Sequence, residues 1–223
     1  MIAENLNDVK ATLKESVELV AVSKYHPVEE LQEVYDAGQR IFGESHVQEL
    51  VAKHEVMPKD IKWHFIGHLQ TNKVKYMASF VSLIHSVDSL KLLKEIDKQA
   101  RKVGRRIDVL LQLHVAEEQT KFGFLPDEVV TMLEDGEWKL MEGVRIVGLM
   151  AMATNTDDEE LVAAEFERVM ELFGVVKERF FADEPSFSEL SMGMSGDYLI
   201  AQEYGCTLVR IGSMIFGERD YNK

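Results

Sequence analysis

Val20-Ala-Val-Ser-Lys-Tyr-His-Pro27 decides how this chain is read. An apolar, β-branched run ends on a lysine, and a proline three residues later opens a helix. The same strand-then-helix unit recurs along the sequence. Apolar runs fall at 17–23, 41–43, 62–67, 81–87, 108–115, 144–152, 188–192 and 207–216. Helical segments at 27–38, 45–56, 70–78, 89–103, 126–135, 157–180 and 196–204 fill every gap between them. An additional amphipathic helix over 1–16 carries Ile2, Leu6, Val9 and Leu13 on one face.

Each run is almost continuously apolar, as expected of parallel strands covered by helices. Eight such units predict an α/β protein with a single closed (β/α)8 barrel, one domain over residues 1–223 with an extra N-terminal helix. An open doubly wound sheet is the alternative, but no Gly-x-Gly-x-x-Gly follows the first strand. Thr156-Asp-Asp-Glu159 reads as a capping box opening the helix at 157. In that helix Val162, Phe166, Val169, Phe173, Val176 and Phe180 form a stripe expected to pack on the barrel.

Composition narrows the function classes. Acids outnumber bases 39 to 25, giving a formal charge of −14, which argues against a nucleic-acid partner. The one dense basic run, Lys98 to Arg106, falls at a helix C-terminus, where cations suit the dipole. No apolar run is long enough for a membrane span, and MIAENLNDVK lacks an export signal. One cysteine, Cys206, allows no internal disulfide. These features predict a cytoplasmic protein with no membrane contact. Any anion must be bound by local N–H groups instead of a broad positive field.

In a barrel of this kind the chemistry sits at the C-terminal ends of the strands. Lys24 ends strand 1, and a buried ammonium is costly unless paired or neutralised. It is read either as a side chain that snorkels into solvent or as an amine neutralised by an aldehyde in a Schiff base. Gly193-Met-Ser-Gly196 after strand 7 and Gly212-Ser213 after strand 8 offer N–H groups and hydroxyls suited to a phosphate. In strand 8, Arg210 shares a face with Leu208 and Gly212 and is expected to point into the barrel mouth. Its partner is then an inward acid such as Glu44, or a pyridine nitrogen. His64 and His68 fall about 13 Å apart along a strand, too far to share a metal. Asp157–Glu160 is a helix start without calcium-loop spacing, and no nucleophile elbow or P-loop occurs.

The stretches AVSKYHP (21–27), DAGQRIFGESHVQEL (36–50), KWHFIGHLQTNK (62–73), KFG (121–123), GLMAMA (148–153), LSMGMSGD (190–197) and VRIGSMIFGERDY (209–221) resemble the pyridoxal phosphate homeostasis proteins, a family built on an alanine-racemase-like barrel. The resemblance implies a monomer that holds pyridoxal 5′-phosphate (PLP) on Lys24. It implies phosphate contacts from Ser195, Gly212 and Ser213 in loops that include Met194, and Arg210 facing the ring nitrogen. Ser45 stands where the family usually has Asn, so its pocket contact is a departure from the pattern, and Lys121 matches a lysine after strand 5. The implied role is to bind PLP and deliver it to apoenzymes without robust catalysis. A guanidinium is a poor proton donor, which leaves the ring a weaker electron sink. The competing readings are an amino-acid racemase and a barrel that binds a phosphorylated metabolite without covalent chemistry. Racemisation needs a second base, and Tyr25, Tyr198 and Tyr221 are not obvious candidates for it.

Overall fold

Alternation along the strands builds two cores at once. The computed structural model describes residues 1–117 and 122–217, so Lys121 and Tyr221 lie outside the described residues. Strands β1 (Glu18–Val22), β2 (Ile41–Glu44), β3 (Lys62–Phe65), β4 (Leu83–Val87), β5 (Ile107–Gln112), β6 (Val144–Met150), β7 (Glu189–Ser191) and β8 (Leu208–Ile211) are parallel and close in sequence order into a barrel. Closure is made by β8 against β1, with Val20 opposite Arg210 and Ala21 opposite Ile211. Val20, Ile41, Leu83, Leu110, Val147, Met150 and Leu208 fill the interior. Their neighbours Leu19, Ala21, Phe42, Val209 and Ile211 face out into the larger helix-covered core.

The outer layer comprises α1 (Ile2–Ala11), α2 (Val28–Asp36), α3 (Val47–Val56), α4 (Leu90–Lys102), α5 (Pro126–Asp135), α6 (Glu159–Phe180), α7 (Tyr198–Glu203) and α8 (Ser213–Phe216). The predicted (β/α)8 barrel and extra N-terminal helix are both present. On α6, Val162, Phe166, Val169 and Val176 are buried, and Phe173 and Phe180 pack beside them. The stripe is core.

Three local expectations change. The helical segment expected over 70–78 is a shorter 3-10 helix, Thr71–Tyr76. Within the apolar run 207–216, strand 8 stops at Ile211, just before the Gly212-Ser213 expected to close it, because Gly212 leaves the strand conformation (φ −124°, ψ −67°) and Ser213–Phe216 turns into a helix. The α6 cap is Asp158 and not Thr156. Its carboxylate accepts from the N–H groups of Glu160 and Leu161, each at 3.1 Å, while Thr156 Oγ1 accepts from Asp158 N–H.

Helix α1 stitches the start of the chain to its end. Asn5 Nδ2 donates to Ile215 O at 3.0 Å, and Thr12 Oγ1 bonds the Tyr198 hydroxyl at 2.9 Å. Tyr198 is thereby buried as a structural group. Cys206 is also buried, and burial pushes its thiol up to about 11. The folded protein is expected to resist an aromatic disulfide reagent at pH 8 and to react with one equivalent on unfolding in guanidinium; rapid reaction of the native protein would contradict this placement.

Candidate functional site

The β8–β1 register brings the ends of these strands together. Two residues past the Val20–Arg210 pair, Gly212 lies against Val22, and a Cβ on Gly212 would stand 2.9 Å from Val22 O. Only glycine allows that approach. Lys24 follows two residues beyond Val22, half-buried in a turn. Beside it, the first N–H groups of α8, from Ser213 and Met214, precede the helix ladder, which begins with Ile215 and Phe216 N–H donating to Gly212 O at 2.9 Å.

The β7 loop folds over the same corner. Gly193 has φ +99°, and a Cβ there would come within 2.8 Å of Ala201 Cβ. Its carbonyl accepts from Arg210 N–H at 2.9 Å, and Asp197 Oδ1 accepts from Met194 N–H at 2.6 Å. This holds Met194 and Ser195, both half-buried, level with Gly212 and Ser213. Lys24, Met194, Ser195, Arg210, Gly212 and Ser213 thus come from three adjacent strands, β7, β8 and β1. Ser45 sits one strand further round, after β2, where the backbone of Gly67 presses on it. It lines a shallow depression with His46, His68 and Gln70.

Arg210 points into the barrel, as its strand parity requires, but its partner differs from the expected acid. Nη1 donates to Ser191 Oγ at 2.5 Å and Nη2 to Ala151 O at 3.0 Å. Ser191 Oγ lies 2.8 Å from His85 Nδ1, and His85 Nε2 lies 2.9 Å from His64 Nδ1. Arginine only donates, so Ser191 Oγ accepts from it, and the serine, His85 and His64 continue the contact as one chain of three side chains across the barrel axis. Burial holds His64 down at about 3 and, with the nearby His64 and Arg210, keeps His85 well below the usual imidazole range. Burial also lowers Arg210, to about 10, so it stays charged at neutral pH. Among the described residues no carboxylate pairs with it.

Glu44 faces the other way, towards α3. Ser23 Oγ donates to its Oε1 at 2.6 Å and Lys53 Nζ at 2.7 Å. The sequence reading misplaced it because residues 42 and 44 share the outward face of β2, opposite Ile41 and Gly43. His85 and Ser191 were missed altogether. The available signal was a polar residue at an inward position of each run, His85 in LIHSV and Ser191 in ELS. His64 and His68 are separated as expected, but His68 lies beyond β3, 3.3 Å from Asp88 and stacked on Phe122. Among the described residues no three His, Cys, Asp or Glu side chains gather as a metal site. At the opposite end of the barrel, a depression bounded by Glu18, Lys62, His64, Asp108 and Arg145 carries charges of both signs, with Arg145 bonded to Asp108 at 2.7 Å. That end lies away from the strand C-termini, where barrels of this kind carry their chemistry.

The profile of the alanine racemase N-terminal domain family matches residues 1–220. A pyridoxal phosphate homeostasis protein of Aquifex aeolicus is 40% identical over 205 residues, spanning 91% of this chain and 87% of its own. One from Schizosaccharomyces pombe is 37% identical over 210 residues, spanning 93% and 86%. The chain belongs to the pyridoxal phosphate homeostasis protein family. Among solved structures, PipY of Synechococcus elongatus with PLP bound superposes with a TM-score of 0.87 at 34% identity, covering 97% of this chain and 100% of PipY. Alanine racemase of Clostridium difficile superposes at 0.75 with 16% identity, covering 99% of this chain and 56% of the racemase, a likeness of fold alone. No helix among the described residues is long and apolar enough to cross a membrane.

The buried histidines give the family barrel an acid liability. Both are neutral when folded, and both take a proton on unfolding below their ordinary pKa of 6.5. Stability is therefore full above pH 6.5 and falls as pH drops towards about 3, where His64 titrates in the fold. Each histidine should cost about 2 kcal/mol between pH 7 and pH 5. Urea unfolding at the two pH values checks this. The double variant His64→Phe/His85→Leu should start less stable and show a shallower pH slope; an unchanged slope would reassign the acid sensitivity.

Proposed function

We propose that this chain is a single barrel domain over residues 1–223 that binds pyridoxal 5′-phosphate on Lys24 and serves in its intracellular homeostasis, releasing it to PLP-dependent apoenzymes in the cytoplasm as a monomer. The observation that carries the reading is the meeting of three groups on β7, β8 and β1: a half-buried lysine, two glycine-shaped loops with N–H groups before their helices, and a buried arginine with no carboxylate against it among the described residues. Each suits one part of PLP. Its aldehyde condenses reversibly with a primary amine to a Schiff base, with loss of water.

The protein's own groups account for the rest. Ser195, Ser213 and the N–H groups of Ser213 and Met214 supply donors for a phosphate dianion, in the corner where Gly193 and Gly212 leave no room for a Cβ. Met194 carries Ser195 through its N–H bond to Asp197. Arg210 has Nη1 and Nη2 each committed to one acceptor, which fixes the plane of the guanidinium. Facing a pyridine nitrogen, a group that stays protonated at neutral pH would give it no proton and so would hold the ring without strengthening it as an electron sink. Ser45 reaches the mouth from the β2 side. That geometry favours a holder over a catalyst, and the names of the curated relatives support the same reading.

After incubation with PLP and reduction by borohydride, peptide mapping should find the added mass on Lys24, and the visible band should be missing from Lys24→Ala. A colourless protein without label on Lys24 would refute the assignment. Sustained racemisation of L-alanine above the Lys24→Ala control would make the chain a racemase instead of a carrier.

A further inference from the structure

Lys24 sits in a turn that a separate group of buried charges holds from below. Lys53, on α3, is buried, and its three N–H donors are all engaged: Ser23 O, Glu44 Oε1 and Glu49 Oε1, each at 2.7 Å. Glu49 Oε1 also accepts from Tyr25 N–H at 2.7 Å. Ser23 C=O belongs to the peptide before Lys24, and Tyr25 N–H to the peptide after it. One ion pair therefore grips both peptide groups that flank the Lys24 Cα.

Two further features show that the grip is needed. Tyr25 has φ +67°, a left-handed conformation that a bulky residue rarely adopts unless its surroundings enforce it. Glu44 is fully buried beside Lys53, with Oε1 shared between Lys53 and Ser23 Oγ and Oε2 without a partner among the described residues. Taking an ammonium and a carboxylate this far from water is costly, and a structural pair alone is commonly replaced by apolar packing without loss. Here the pair is spent on backbone atoms at one turn.

We propose that Glu49, Lys53 and Glu44 are positioning residues that fix the backbone on both sides of Lys24, setting the place of its amine for cofactor capture. The proposal rests on Lys24 being the PLP lysine. The three residues touch no cofactor. They act by holding the turn against the strained φ of Tyr25, so that the amine need not search for its place relative to the β7 and β8 loops.

Glu49 is the residue to test, because it is partly exposed and its loss leaves the barrel core intact. Glu49→Ala removes the grip on Tyr25 N–H and one of the three acceptors that hold Lys53, whereas Glu49→Gln keeps an acceptor for Tyr25 N–H. Amide hydrogen exchange of the 23–26 segment is measured without PLP. Labelling of Lys24 by PLP and borohydride is then followed against PLP concentration. Glu49→Ala should unfold at a temperature close to that of the unsubstituted protein, lose protection at Tyr25, and need about tenfold more PLP or higher for half-labelling. Glu49→Gln should recover a large part of both. Lys53→Met, if it folds, should behave like Glu49→Ala. Unchanged exchange and unchanged labelling in Glu49→Ala would overturn the proposal, as would lost protection with unchanged labelling. No label on the unsubstituted protein would defeat the cofactor assignment itself and the proposal with it, a result distinct from equal labelling of both proteins.

Discussion

The hydrogen-bonded pairing of β8 with β1 is the constraint on which the rest depends. A parallel sheet of eight strands has two edges unless its last strand finds its first, and each exposed edge leaves a row of unpaired backbone groups. Closing the barrel removes the edges and sets one register, Val20 against Arg210. That register alone puts Lys24 beside Gly212 and Ser213, residues far apart in sequence. A slip of one residue would turn Arg210 out of the barrel and Val209 into it.

Inside the closed barrel the balance is between burial and satisfaction. A charged guanidinium in an apolar interior is tolerable only if its donors are met, and Ser191 and Ala151 meet the two that hold it. Ser191 is in turn bonded to His85, and His85 to His64. One buried charge thus fixes three further side chains. Lys53 follows the same logic on the outside of β1 and β2. Glu165 does so at β6: its buried carboxylate accepts both the N–H and the hydroxyl of Thr154, each at 2.6 Å, tying the loop after that strand to α6. Carboxylates on the outer helices, Glu49 on α3 and Glu165 on α6, thus anchor mouth loops.

The barrel was legible because eight apolar runs with helices between them admit few other arrangements, and the inward parity of Arg210 followed from Leu208 and Gly212 on the same face. Gly193 and Gly212 could be read as loop glycines next to serines. What could not be read was pairing across the barrel. His85 and Ser191 are 106 residues apart, and no local pattern says that β4 and β7 face each other over the axis. Glu44 was assigned to the wrong side because FGE at the end of β2 has no long alternation from which to take parity. The start of α6 shifted by two residues since Thr156, Asp157 and Asp158 are all credible caps, and only the backbone geometry selects Asp158.

Helix α1 and strand β1 find their partners at the far end of the chain, Asn5 on Ile215 and Val20 on Arg210. During synthesis the N-terminal elements leave the ribosome long before those partners exist, and contacts at such separation are slow to form even afterwards. Of the proposed site, the lysine is made early and the β7 and β8 loops late. A nascent or truncated chain that stops short of β8 has the amine but no strand to close the sheet and no Gly212-Ser213 corner beside it. On the proposed reading, competence to hold a reactive aldehyde arrives together with the closure of the barrel.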